Sequence, residues 1–338
     1  MNSKGYAVAA ATATAAVAGF TLGTCYRAGL VTRRARTICS SNLARSPPPK
    51  PVQKPLHPFK VGLCQLKVGT NKAQNILGAE AAIREAASKG AKLVVLPEMW
   101  NCPYSNESFP EYAEEIDLGE SPSAMMLSNV ARELGVVVVG GSIPERQGDR
   151  LYNTCCVYNT EGTLLAKHRK THLFDIDIPG QITFKESDTL TQGEAGTVVD
   201  TEVGRLGIGI CFDVRFPELA AVYAARGASM LIYPGAFNMV TGPLHWQLLH
   251  QARAVDNQLY VACCSPARNP DSSYRAWGHS MVIGPFAEIL ASCESDPEII
   301  LADIDPAQID TRRTNMPLAY QRRADLYCLT DCKNTEAA

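Results

Sequence analysis

Apolar positions along this chain change period several times, and each change marks an element. FKVGLCQLKV (59–68) reads as a first strand. From Asn71 to Lys89 the apolar residues Ile76, Ala79, Ile83 and Ala87 are spaced for one face of a helix, with Gly90 as C-cap. AKLVVLPE (91–98) is instead a continuous apolar run, the pattern of a strand covered on both sides. Ser121-Pro122 supplies an N-cap and a first-turn proline for a helix to about Leu134. VVVVGGSIPE (136–145) predicts the next strand.

Further along, LYNTCCVYNTEGTLLAKHRK (151–170) reads as two strands around an Asn-Thr-Glu-Gly turn. After a loop, GTVVDTEVGRLGIGIC (196–211) gives another pair of strands. Helix, strand, helix and strand follow over 217–226, 228–234, 244–257 and 259–265. The strands WGHSMVIGP (277–285), EILASCE (288–294) and EIILADI (298–304) close the series. Alternating βα units beside antiparallel hairpins predict an α/β fold with mixed sheets and helices outside. That suits two sheets face to face between helical layers, in one domain from about 59 to 305. Residues 306–338 read as a C-terminal extension, and no repeat of solenoid period is visible.

Composition changes this picture mainly at the N-terminus. The 338 residues are 46% hydrophobic and 20% charged, an ordinary globular balance with enough length for a large core. The net charge of −2 hides an asymmetry: residues 1–50 carry seven basic side chains and no acid, leaving 25 basic against 34 acidic groups elsewhere. A body that acidic argues against sequence-independent nucleic-acid binding, which runs on phosphate neutralisation. Residues 1–55, rich in Ala, Thr and Ser and ending in a proline-rich linker, have the composition of an organellar transit peptide. A chloroplast address is favoured over a mitochondrial one; a tail without an address would leave the protein in the cytoplasm. The stretch YAVAAATATAAVAGFTLG (6–23) is too poor in large apolar side chains for stable membrane insertion.

Twelve cysteines show neither framework spacing nor a CxxC pair, so neither a disulfide scaffold nor a zinc site is expected. The adjacent pairs Cys155-Cys156 and Cys263-Cys264 would point to opposite faces of their strands. One thiol stands apart. GIGICFDVRFPE (207–218) puts Cys211 at the end of an apolar run, and Gly207 and Gly209 would let another segment approach closely. By itself Cys211 reads as core filler, redox thiol or nucleophile. Glu98 ends the strand LVVLPEMW, and Lys170 ends TLLAKHRK. Open α/β sheets commonly present chemistry at the ends of buried strands. An unperturbed thiol is only about 3% thiolate at pH 7. An adjacent carboxylate can take its proton during attack, and an ammonium can steady the oxyanion that forms. Taken singly, Glu98 is equally a surface strand end and Lys170 a solvated charge.

LPEMWNCPY, KHRKTHLFDIDIPGQITFKES and GIGICFDVRFPELA together resemble the nitrilase (carbon–nitrogen hydrolase) superfamily, over about 59–328. The resemblance implies a four-layer α-β-β-α sandwich. It also implies Glu98 as general base, Lys170 as oxyanion-stabilising lysine, Cys211 as nucleophile, and Glu186 as a second pocket glutamate that orients Lys170 or the substrate. The backbone N–H of Phe212 would assist Lys170 at the oxyanion. HLFDIDIPG, YPGAFNMVTGPLHW, RAVDNQLYVACCSPAR and YRAWGHS are similar to the omega-amidase branch. That branch implies hydrolysis of 2-oxo acid monoamides without metal or organic cofactor, and a homodimer.

Tyr104, Phe174, Thr241 and His245 are candidates for the substrate pocket. Arg215 is available to an anionic substrate, or it pairs with Asp213 or Glu218. His168 with His172, and His245 with His250, lack partners at ligand spacing and read as structural. The rival readings are an amidohydrolase for deaminated glutathione, N-carbamoyl amines or nitriles, and a catalytically silent scaffold or thiol sensor.

Overall fold

A computed structural model describes residues 57–333; the transit peptide and linker read at residues 1–55 lie outside the described residues. In chain order the first half supplies β1 (Phe59–Gln65), α1 (Lys72–Ser88), β2 (Ala91–Val95), α2 (Ser108–Tyr112), α3 (Pro122–Leu134), β3 (Val137–Val139), β4 (Ile143–Gln147), β5 (Arg150–Tyr158) and β6 (Leu164–Arg169). A small hairpin follows, β7 (Asp175–Ile178) and β8 (Ile182–Lys185). The second half supplies β9 (Thr197–Thr201), β10 (Gly204–Ile208), α4 (Pro217–Ala225), β11 (Met230–Pro234), α5 (Gly242–Asn257), β12 (Tyr260–Cys264), β13 (Met281–Ile283), β14 (Ile289–Ser292), β15 (Glu298–Ile304), α6 (Ala307–Asn315) and α7 (Leu318–Gln321).

Local chemistry accounts for the helix boundaries. The Asn71 side chain accepts from the Gln74 N–H at 3.1 Å to start α1. The Ser121 hydroxyl does the same for Ala124 at 3.1 Å, with Pro122 in the first turn, and Gly135 ends α3 in the left-handed conformation.

The strands assemble into two mixed sheets. One runs β15-β1-β2-β3-β5-β4, with β6 also on β5; the other runs β14-β13-β12-β11-β10-β9. Leu93 and Val95 of β2 join the cluster that also holds Ile208, Ile232 and Val261 of the second sheet and continues to Tyr223 of α4 and Trp246 of α5 beyond it. Val94, between them, packs instead with Ile83 of α1 and Leu127 of α3. The run AKLVV is continuously apolar because both faces are covered. Cys155 and Cys156 divide in the same way, the first between the sheets and the second toward the helices. The result is the α-β-β-α sandwich. All ten cysteines among the described residues are free thiols. No helix among them is long and apolar enough to cross a membrane.

One predicted strand is in fact two. The segment 136–145 breaks at Gly140-Gly141-Ser142, between β3 and β4. Gly141 has φ +61° and stands against the carbonyl oxygen of Pro97, where a Cβ would collide. Ser142 then donates its N–H to that carbonyl at 3.0 Å, and its hydroxyl accepts from the Met99 N–H at 3.1 Å. Four apolar residues followed by Gly-Gly looked like one strand from period alone. The break exists to hold the turn that carries Glu98.

The loop foreseen after Lys170 contains the β7–β8 hairpin. Beyond residue 305, α6 lays Ile309, 1% exposed, into the main core, and Arg226 pairs with Asp331 at 2.6 Å.

Candidate active site

Each of three side chains stands just past the end of a strand, β2 and β10 largely buried and β6 half-exposed, and the packing of one sheet on the other brings them together. Glu98 lies three residues beyond β2, in the turn that Ser142 holds. Lys170 follows β6 directly, and its N–H donates to the Asn153 carbonyl of β5 at 2.9 Å. Cys211 lies three residues beyond β10, at the start of a 3₁₀ turn over Cys211–Arg215. It has φ +48°, a conformation that favours glycine and lifts the thiol off the strand line. Gly209 lets the segment approach Tyr233, whose ring would lie 2.5 Å from an added Cβ.

The Lys170 ammonium donates to Glu98 Oε1 at 2.9 Å and to Glu186 Oε1 at 2.9 Å, and all three groups are fully buried. Glu98 is held on both oxygens. Oε1 also accepts from the Asn153 amide at 2.8 Å, and Oε2 from the Ala236 N–H at 2.8 Å. The Cys211 thiol lies close enough to this carboxylate for each group to perturb the other's pKa. Glu186, first residue of a short 3₁₀ turn after β8, accepts from the Tyr104 hydroxyl and from the Phe174 N–H, each at 2.6 Å.

Burial pushes the Glu98 carboxyl up from its ordinary range, against the opposing pull of Lys170; Glu186 pushes it the same way as burial. Burial also raises the Cys211 thiol, Glu98 adds to this, and Lys170 opposes it. Burial alone would lower the Lys170 ammonium, but Glu186 and Glu98 hold it well above its ordinary value. Burial thus favours the neutral thiol at rest, beside Glu98 and a fixed cation, with proton transfer left to the moment of attack.

The remaining sequence candidates divide. Tyr104 stacks on Tyr274 at 4.4 Å, and Phe174 meets Phe212 edge-on at 5.4 Å, so both belong to the aromatic wall of the site. Phe212 is the second residue of its turn, where backbone N–H groups have no acceptor within the turn. Thr241 is buried at the start of α5, and its hydroxyl is spent on Asn238 at 3.3 Å. His245 lies with Nδ1 3.3 Å from Arg215 Nη1, and burial together with Arg215 lowers its pKa, so the neutral ring accepts.

Arg215 does not pair with Asp213 or Glu218, the alternative left open by the sequence. Asp213 is engaged by His168 and His172, and no ion pair among the described residues includes Arg215. Its guanidinium instead lies 5.0 Å from the Phe237 ring and 5.4 Å from Phe212, with Nε buried and unpartnered.

Sequence reasoning missed Asn153, the Ala236 N–H, Phe184 and Tyr274. Asn153 had a signal, a polar side chain inside the strand LYNTCCVY. The Ala236 amide had none, because it depends on where β11 ends relative to β2.

The arrangement places a buried thiol, a buried carboxylate and a buried ammonium in one site. Residues 60–314 match the carbon-nitrogen hydrolase family, and the chain belongs to it. It is a hydrolase acting on carbon–nitrogen bonds of amides. The chain is 62% identical over 297 residues to an omega-amidase, chloroplastic, of Arabidopsis thaliana, covering 87% of this chain and 80% of that one. It is 52% identical to omega-amidase NIT2 of Homo sapiens, covering 80% and 97%. Among solved structures it is similar to Saccharomyces cerevisiae Nit3, a member of branch 10 of the nitrilase superfamily. That likeness has TM-score 0.72 and 45% identity, covering 79% of this chain and 97% of Nit3.

Proposed function

We infer that this chain is an omega-amidase, hydrolysing the terminal amide of 2-oxo acid monoamides such as 2-oxoglutaramate and 2-oxosuccinamate to the dicarboxylate and ammonia. The observation that carries the chemistry is the buried Lys170–Glu98 pair at 2.9 Å with the buried Cys211 thiol within electrostatic reach of both. The substrate class rests on relatives bearing that activity in their names.

Glu98 takes the thiol proton as Cys211 Sγ attacks the amide carbon. The oxyanion forms beside the Lys170 ammonium and the Phe212 N–H. Glu98 returns the proton to the amide nitrogen, the C–N bond breaks, ammonia leaves, and a thioester remains. Glu98 next takes a proton from water, whose oxygen attacks the thioester. Release of the acid returns that proton to sulfur, the two-step logic of covalent catalysis. Glu186, bonded at once to Lys170, Tyr104 and the Phe174 N–H, fixes the direction of the ammonium.

The test is turnover of 2-oxoglutaramate, an N-carbamoyl amine and a nitrile, read as ammonia, and of deaminated glutathione, read as the amine its secondary amide releases. Turnover concentrated on the oxo acid amide is the expected result. Turnover of another of the four would transfer the same triad to a different substrate.

Arg215 supplies the cation for the substrate carboxylate, since its buried Nε lacks a partner. A charge-assisted bond of this kind contributes about 1.5–3 kcal/mol. Arg215→Gln should therefore raise KM for the oxo acid amide by roughly 10- to 100-fold and leave kcat within a few-fold. An equal loss on a neutral amide would reject that role.

The raised Glu98 carboxyl sets a pH limit. The base must be ionised, so kcat/KM falls as pH drops through its pKa, and that limb should lie above the ordinary glutamate value of about 4.3. Full kcat/KM retained at that pH, measured on 2-oxoglutaramate, would contradict it.

A further inference from the structure

The Cys211 turn and the Lys170 strand end belong to different sheets, yet one side chain grips both. Asp213 stands two residues after Cys211 in the same turn, and it is fully buried. Its Oδ2 accepts from the N–H of Ile210, the residue before Cys211, at 2.9 Å. The other donors come from β6 and the residues just after it, on either side of Lys170. His168 Nε2 lies 3.1 Å from Oδ2, and Thr171 Oγ1 donates to Oδ1 at 2.7 Å. His172 adds two contacts to Oδ1, through Nδ1 at 2.7 Å and its backbone N–H at 3.0 Å. His168 is anchored in turn, with Nδ1 3.1 Å from Thr197 Oγ1. None of these five contacts reaches the sulfur, the ammonium or either catalytic carboxylate.

Cys211 occupies a backbone conformation that persists only where its surroundings hold it. The Asp213–Ile210 bond closes the turn around that residue, and the same carboxylate fastens residues 168, 171 and 172. We propose that Asp213 is a positioning residue for amide hydrolysis: through Ile210, His168, Thr171 and His172 it sets the Lys170 ammonium against the Cys211 sulfur. The proposal rests on the roles given to Cys211 and Lys170 above. Burial alone would raise the Asp213 carboxyl, but bonds from His168 and His172 hold it well below the usual carboxylate range, so it remains an acceptor at all five contacts. A displacement of about 1 Å at a reacting group is enough to cost on the order of 10²-fold in rate.

The experiment uses the full chain and three variants, Asp213→Asn, Thr171→Val and Thr171→Ser. Turnover of whichever amide the wild type hydrolyses is measured as kcat and KM and scored per Cys211 thiol alkylated by iodoacetamide. Asp213→Asn should lower kcat per thiol by about 10²-fold with KM within about two-fold. Thr171→Val, which deletes one donor, should lower kcat about 3- to 10-fold, and Thr171→Ser, which restores the hydroxyl, should return it close to wild type. A purely structural role would reduce the amount of active protein while leaving kcat per thiol unchanged, and that result overturns the proposal. So does a serine variant as impaired as the valine one. Should Asp213→Asn fail to fold, the threonine pair decides alone. An inactive wild type would refute the hydrolase assignment of Cys211 and Lys170 instead.

Discussion

Cys211→Ala is expected to abolish ammonia release from 2-oxoglutaramate, with kcat down by at least about 10⁴-fold. No other group in the site replaces the nucleophile. Among the described residues, burial raises the thiols of the other buried cysteines, Cys102, Cys263 and Cys264 among them. The fold should survive, for a specific reason. Alanine keeps a Cβ at φ +48°, so the turn carries the same backbone strain in both proteins. Melting temperature should therefore stay within a few degrees, and the variant should still bind the oxo acid amide. Mass spectrometry of the wild type mixed briefly with substrate should show the acyl adduct on Cys211 and none on the variant. Residual turnover above about 1% of wild type would require another nucleophile.

Lys170→Met is expected to cost both activity and stability, and the two losses separate with pH. Loss of an oxyanion donor lowers kcat by about 10²–10³-fold. The stability effect arises because Glu98 and Glu186, each 0% exposed, then share a site with no cation between them. Breaking a buried pair of this kind costs about 3–5 kcal/mol. Glu98 reduces that cost by taking up a proton. Burial already raises Glu98, Glu186 adds to the shift, and Lys170 now opposes it, so its removal raises the folded-state value further. A group whose folded pKa is raised contributes stability that is present below its unfolded value of about 4.3 and lost as pH rises through the folded value. Melting of the variant should therefore fall more steeply with rising pH than melting of the wild type. Parallel curves for the two proteins would mean that the carboxylates find another partner.

Much of this molecule could be read along the chain. A helix over 71–89 follows from the spacing of Ile76, Ala79 and Ile83, and it appears as Lys72–Ser88 with Asn71 capping. Continuous apolar runs marked the strands buried on both faces. Glu98 and Cys211 were legible as polar residues closing such strands; Lys170 instead closes the half-exposed β6, and only its motif singled it out. The strand over 136–145 was misread because a Gly-Gly pair interrupts hydrogen bonding without interrupting hydrophobicity. Its cause, the Pro97 carbonyl, lies 44 positions earlier in the chain.

The amino-acid sequence by itself determined most of the elements, the two-faced burial of the central strands and which polar side chains were candidates for the site. Each of these depends on periodicity and residue type within a short window. Only the tertiary structure decided which groups meet. Glu98 and Lys170 are 72 residues apart, and their 2.9 Å contact exists because β2 and β6 end at the same side of one sheet. The Asp213 clamp comes from the second sheet packing against the first. A carboxylate binds the donors that packing brings within about 3 Å, and sequence distance has no bearing on that choice.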